Sequence, residues 1–220
     1  MLSLRSSLKR RRQQRAFTLI EMVVAMAIVG ITLMAGIPIF KGWSQNLQIR
    51  STAEATLNGL QNARSEALRR NTNVRFELMS SADNSCAVST GQTSWVINLG
   101  TSSTNDPSGA CGAAISSTLN NYNVAKANCA PCLLQTFSAT SSNVTVASTG
   151  TAASMLVVFD PLGRVIYPTT DTVWAFSYPS AGTCATPSTS GVNCMNIQLS
   201  ANGRMRMCTT GMASNTPQGC

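Results

Sequence analysis

Gly203-Arg204-Met205-Arg206, close to the C-terminus, is the sharpest binding feature of this sequence. On a β-strand successive side chains alternate, which puts Arg204 and Arg206 on one face and Met205 and Met207 on the other. Two residues along a strand advance about 6.6–6.8 Å, close to the separation of successive phosphates along a nucleic-acid strand. Guanidinium forks suit phosphate oxygens, and they stay charged at any physiological pH. No acidic side chain follows Asp171, so the last 49 residues carry only these two charged side chains. Two bases imply about two neutralised phosphates, hence weak, salt-sensitive binding with little base preference. Useful capture would then need several copies acting together. The plainer role for two exposed arginines is to solvate an edge strand and discourage sheet-to-sheet pairing.

Cys129-Ala130-Pro131-Cys132 is the other spacing with chemical meaning. Redox C-x-x-C pairs usually open a helix in a βαβ unit, where the helix dipole lowers a thiol pKa. Here the motif lies in a Ser/Asn-rich stretch without that pattern, so a structural disulfide, local or to a distant cysteine, is expected. The eight cysteines, Cys86, Cys111, Cys129, Cys132, Cys184, Cys194, Cys208 and Cys220, are candidates for complete pairing in an oxidising compartment such as a periplasm. Cys184–Cys194 and Cys208–Cys220 are local pairs by proximity alone, and the second would clamp the tail beside Arg206. Histidine is absent from the sequence, which removes the commonest general base and the commonest metal ligand. A single C-x-x-C without a second ligand pair makes a poor zinc site. No catalytic residue, metal or cofactor is expected, and an enzyme is the least supported class.

The elements that must position these residues begin at the other end. Arg15-Ala16-Phe17-Thr18-Leu19-Ile20-Glu21 leads into Met22 to Phe40, nineteen residues without a charge. As a helix rising about 1.5 Å per residue, that run just crosses a hydrocarbon core about 30 Å thick. Glu21 stands at its mouth, where a buried carboxylate is costly without a partner. Before it lies a cationic leader with Lys9, Arg10, Arg11, Arg12 and Arg15. A secretory signal has a shorter apolar region with a small-residue cleavage site after it, and no such site precedes Lys41. An ordinary single-pass anchor shares the cationic flank but has no need of Glu21 or of the F-T-L-I-E string.

Together these residues resemble the N-terminus of type IV prepilins and pseudopilins. The resemblance implies cleavage by a prepilin peptidase between Ala16 and Phe17, with methylation of the new amine on Phe17. It also implies that the Glu21 carboxylate neutralises that amine on a neighbouring subunit during assembly. Ala16 stands where the family usually has Gly, and Pro38 falls where pilin helices are commonly kinked. A second string, Ala63-Arg64-Ser65-Glu66-Ala67-Leu68-Arg69-Arg70-Asn71, resembles the helix end of the GspH/FimT group of pseudopilins and minor pilins. The turn Phe159-Asp160-Pro161-Leu162-Gly163-Arg164 is similar to one found in the same group. Within that group, the tail motif resembles the DNA-binding motif of minor pilins of natural transformation. The resemblance implies Gly203, Arg204 and Arg206 as contacts to double-stranded DNA, with Arg164 as a second basic contact.

Charge and pattern complete the layout. Sixteen Lys and Arg oppose eight Asp and Glu, but six of the bases lie in the leader, leaving ten against eight over residues 17–220, or +2. The basic balance therefore reports topology, with positive residues cytoplasmic and the C-terminal part exported. Lys41 to Arg70 keeps an amphipathic helical pattern through Leu47, Ala53, Leu57, Leu60, Ala63, Ala67 and Leu68. Glu66 and Arg70 pair at i,i+4, and Asn71 caps the end. Val74–Leu78 alternates as a half-buried strand, and Trp95–Leu99 is the best strand inside a Ser/Thr/Asn-rich stretch from 79 to 151. Further strands are read at Met155–Phe159, Arg164–Tyr167 and Val173–Tyr178. Met195–Ser200 and Arg204–Cys208 form a hairpin around Asn202-Gly203.

The expected architecture is α+β: a long N-terminal pilin helix, transmembrane then amphipathic, packed on a small, mainly antiparallel β head. Its boundaries are a cleaved leader 1–16, a transmembrane and filament-core helix 17–40, an amphipathic helix 41–70 and a periplasmic head 71–220. The expected function is that of a minor type IV pilin that binds DNA non-specifically during uptake. Its expected partners are other pilins through the N-terminal helix, the prepilin peptidase, the inner membrane and double-stranded DNA. Two alternatives lack DNA contact: a structural minor pilin that primes pilus assembly, and a type II secretion pseudopilin.

Overall fold

Asn71 ends the long helix that organises this chain. Its backbone is left-handed, with φ 51°, and the Thr72 N–H donates to the Ala67 carbonyl at 3.3 Å, the two marks of a Schellman cap. Arg69 and Arg70 occupy the last turn, where the helix dipole favours cations, and Glu66 binds both, at 2.7 and 2.5 Å. At the other end, Thr18 Oγ1 accepts the Glu21 N–H at 3.3 Å, an N-cap contact of the S/T-x-x-E kind. Between these caps runs α1, Leu19–Arg70. The structure is a computed structural model that describes residues 17–115, 131–150, 154–185, 191–213 and 215–220. The leader 1–16, with Ala16, and Cys129 lie outside the described residues.

The chain divides into two compact units, Met1–Lys41 and Gly42–Cys220. In the first, every described side chain is exposed, including Leu19 at 83% and Met34 at 82%. Among the described residues no helix is long and apolar enough to cross a membrane; within the segment expected to span, 17–40, residues 35–39 belong to α1 with side chains outside the description.

The second unit has a core of its own. Ile49, Ala53, Thr56, Leu60, Ala63 and Ala67, spaced by four and three, form the buried face of α1. Leu47 and Leu68, expected on that face, are about half exposed, and Ile49 takes the place that Leu47 was assigned. Small residues let the helix approach closely: a Cβ on Gly59 would stand 2.7 Å from the Phe76 ring and 2.9 Å from Trp95.

Two antiparallel sheets meet this face. The first has the order β3-β2-β1-β5-β6, from β1 (Val74–Met79), β2 (Ser94–Leu99), β3 (Leu133–Phe137), β5 (Leu156–Phe159) and β6 (Val165–Tyr167). The second has the order β4-β7-β8-β9, from β4 (Thr145–Gly150), β7 (Thr172–Ser177), β8 (Met195–Leu199) and β9 (Met205–Thr209). Phe76 stacks on Trp174 at 5.8 Å between ring centroids, and so joins the two sheets. One cluster with Leu60, Phe76, Trp95, Phe159, Trp174 and Ile197 fills the space between them.

β1 departs from the half-buried strand expected of it, because all six of its residues are buried. Val74, Phe76 and Leu78 face the main core, whereas the Arg75–Glu77 pair lies under the segment that follows β2, whose Thr101 carbonyl and Asp106 carboxylate meet Arg75. That segment is anchored by the Cys86–Cys111 disulfide, and it buries Met79, Cys86, Val96, Cys111 and Leu133 in a second small cluster. The stretch 79–151 thus carries β3 and β4 beyond the one strand expected in it.

Candidate functional site

Two turns place the basic residues. In the first, Asp160 Oδ1 accepts the N–H groups of Leu162 and Arg164 at 2.9 and 2.8 Å. Its Oδ2 receives the Arg164 guanidinium at 2.7 Å. Burial pushes the Asp160 carboxyl up, but the backbone and guanidinium bonds of Arg164 and the Leu162 N–H outweigh it and hold the group below the ordinary carboxylate range. In the second turn, the Gly203 N–H donates to the Ser200 carbonyl at 2.8 Å, and Asn202 Oδ1 accepts the Arg204 N–H at 3.1 Å. Asp171 Oδ1 takes the Ala201 N–H at 2.9 Å and ties the same hairpin to the start of β7.

The turns pack on each other. Gly203 has φ +84°, and a Cβ there would lie 3.3 Å from the Gly163 carbonyl oxygen and 3.7 Å from the Arg164 Cα. Glycine is required here by both the left-handed backbone and the close approach. Beneath both turns runs Arg64 of α1. Its Nη1 donates to the Gly203 carbonyl at 3.4 Å, and its Nε lies 3.1 Å from where a Gly163 Cβ would be. The result is an open groove of about 520 Å³, lined in part by Gln61, Arg64, Leu68, Asn202 and Arg204.

Beyond Gly203 the chain enters β9, an edge strand paired with β8 so that Arg206 stands opposite Gln198 and Met205 opposite Leu199. Met205 and Met207 pack against the core, while Arg204 and Arg206 are exposed, the alternation read from the sequence. The Arg206 guanidinium donates to the Gly219 carbonyl. The tail that provides this carbonyl is fixed by the Cys208–Cys220 disulfide and by the Thr209 N–H, which donates to the Gln218 carbonyl at 2.8 Å.

Charge pairing separates the arginines of this unit. Arg50, Arg69, Arg70, Arg75 and Arg164 each have a carboxylate within 4 Å. Among the described residues of Gly42–Cys220, Arg64, Arg204 and Arg206 have none; of the acids beside the hairpin, Asp160 is paired with Arg164, whereas Asp171 is exposed and bonds only the Ala201 N–H. The structure therefore brings Gly203, Arg204 and the Arg164 turn together, with Arg206 two residues along the same strand face, and Arg164 is the one whose charge is already neutralised. Sequence reasoning missed Arg64. A signal was present: its helical neighbours at three and four residues are Leu60, Gln61, Ala67 and Leu68, so it has no intrahelical carboxylate of the kind that serves Arg50, Arg69 and Arg70.

The cysteines resolve in part. Cys184–Cys194 and Cys208–Cys220 form as expected from proximity, and Cys86–Cys111 joins them. Cys132 is disulfide-bonded. Among the described residues no group of His, Cys, Asp or Glu could hold a metal ion. At the N-terminus, Phe17 is 74% exposed and Glu21 is also exposed, its backbone held by the Thr18 cap.

The profile of the family described as "Type II transport protein GspH" matches residues 52–212, from the buried face of α1 through β9. The chain belongs to the GspH family. Ahead of that match, residues 11–37 of this GspH-family chain fit the prokaryotic N-terminal methylation motif, so the two together describe a type IV pilin or pseudopilin. Two crystal structures of the type IV minor pilin FimU of Pseudomonas aeruginosa are similar. One is 16% identical over 81% of this chain and 98% of that one, with a TM-score of 0.47. The other is 17% identical over 78% and 98%, with a TM-score of 0.44. No curated protein matches.

Proposed function

We propose that this GspH-family chain is a minor type IV pilin that binds double-stranded DNA non-specifically, through Arg204 and Arg206, during DNA uptake. The observation that supports this reading is the unpaired charge on one face of β9. Both guanidiniums are exposed, neither has a carboxylate among the described residues, and the hairpin that carries them is braced from three sides. The braced hairpin fixes the backbone from which both forks extend, which lowers the ordering cost of binding phosphate. Arg164 adds a positioning role: it neutralises Asp160 and shapes the turn on which Gly203 rests.

The delivery half of the proposal rests on the methylation motif and the exposed apolar helix. In this reading a prepilin peptidase cuts between Ala16 and Phe17, and the apolar part of α1 sits in the inner membrane with Gly42–Cys220 in the periplasm. Lipid, and then the helices of other pilins, cover side chains such as Leu19, Ile31 and Met34 that have no cover among the described residues. The oxidised cysteines agree with an exported head. The chain acts by binding and assembly, without catalysis.

A second reading has its own support. The matched family is described as a type II transport protein, which favours a secretion pseudopilin in which the two arginines protect the β9 edge. The test is a titration of the processed chain, residues 17–220, in uncharged detergent micelles, with labelled duplex DNA. Binding that is lost in Arg204→Ala/Arg206→Ala is the expected result. Equal binding by both proteins would remove the site, and absence of binding at low salt would leave the pseudopilin reading standing.

A further inference from the structure

We propose that Arg64 is a third phosphate contact, and that the groove between α1 and the Gly203 hairpin receives the backbone of the bound duplex. This inference rests on the DNA reading above and assigns the path of the strand beyond Arg204. Arg64 is exposed and spends one N–H, at 3.4 Å, on the Gly203 carbonyl. A guanidinium has five donors, so most of its fork remains available to a ligand. No carboxylate neutralises it among the described residues, unlike the Arg50, Arg69 and Arg70 guanidiniums of the same helix. It lines the same groove as Arg204.

The surroundings fit a phosphodiester better than a small apolar ligand. The groove is open and offers the amides of Gln61 and Asn202 beside the two guanidiniums. Its acid nearest in the chain, Glu66, is bound by Arg69 and Arg70 and is held below its ordinary value because, although burial raises it, the two arginines outweigh burial. Arg206 extends the basic line along β9 in one direction, and Arg64 extends it onto the helix in the other. Three contacts in place of two raise the expected salt slope of binding from about 1.8 to about 2.7.

The experiment is a salt series of duplex binding by the processed chain, residues 17–220, in uncharged detergent, with Arg64→Gln, Arg64→Lys and Arg204→Ala/Arg206→Ala in parallel. Glutamine keeps a donor for the Gly203 carbonyl and removes the charge; lysine keeps the charge and loses the fork. The expected result for Arg64→Gln is a slope lower by about 0.9 and affinity roughly tenfold weaker at 50 mM salt, which is one fewer released counterion. Arg64→Lys should keep the slope, and thermal unfolding of both variants should match the parent. An unchanged slope in Arg64→Gln, while the Arg204/Arg206 variant loses binding, would overturn the third contact and leave the DNA reading intact. Loss of affinity with an unchanged slope and a lowered Tm would also overturn it, by showing that Arg64 only props the hairpin. No binding by the parent chain would defeat both proposals together.

Discussion

Replacing Glu77 with Gln should cost this protein about 3 kcal/mol of stability, near the lower end of the range for breaking a buried ion pair. The Glu77 carboxylate meets Arg75 at 2.6 Å with both side chains 3% exposed. Removing its charge leaves the Arg75 guanidinium buried, with the Thr101 carbonyl at 3.2 Å and Asp106 at 3.6 Å as its remaining partners. Those partners keep the cost from the upper end. For a unit of this size, about 3 kcal/mol corresponds to a fall in Tm of roughly 6–12 °C. The double variant Arg75→Met/Glu77→Leu, which removes both charges and keeps apolar volume, should lie within about 1 kcal/mol of the parent. Urea unfolding followed by the fluorescence of the buried Trp95 and Trp174 reads both. A midpoint for Glu77→Gln equal to the parent's, or a double variant as unstable as the single one, would refute the claim that a loop seals this face of β1.

Three further outcomes follow from the same geometry. Loss of the Cys86–Cys111 bridge in Cys86→Ser/Cys111→Ser should cost roughly 3 kcal/mol on chain-entropy grounds for a loop of 25 residues, and amides of the outer face of β1 should exchange hydrogen faster. Gly203→Ala forces a side chain into a backbone at φ +84° and to within 3.3 Å of the Gly163 carbonyl; the expected cost is about 1–2 kcal/mol in urea unfolding, with weaker duplex binding as the hairpin shifts. Asp160, held below its ordinary value of 3.8, contributes stability above that value that is lost as pH falls through the lowered one, so Asp160→Asn should flatten the acid limb of a circular-dichroism titration.

Much of the β architecture was legible because its signals are local. Asn202-Gly203 between alternating strands gave the hairpin, and Met155–Phe159 with Asp160-Pro161-Leu162-Gly163 gave the turn that braces it. The period of α1 was also readable, although Ile49 and Leu47 exchange roles because a helix face is wide and the sheet beneath decides which edge of it is covered. What the sequence hid was long-range. Arg75 and Glu77 alternate like solvent-facing residues, and nothing local says that a segment stapled by Cys86 and Cys111 folds over them. Leu133–Phe137 and Thr145–Gly150 are short, with Ser and Thr among their residues, so their strand state comes from pairing with β2 and β7 rather than from propensity. Of the site, Arg204 and Arg206 were visible as a motif. Arg64 lies 139 residues from Gly203 in sequence, and only the fold places it under the hairpin.

The central claim is that the β9 arginines hold duplex phosphate. The most direct measurement is the salt dependence of duplex binding by the processed chain, residues 17–220, in uncharged detergent, beside Arg204→Ala/Arg206→Ala. Weak binding by the parent should strengthen as salt is lowered, and the double variant's log K should fall with log salt about 1.8 units less steeply. Identical salt slopes for the two proteins would contradict it.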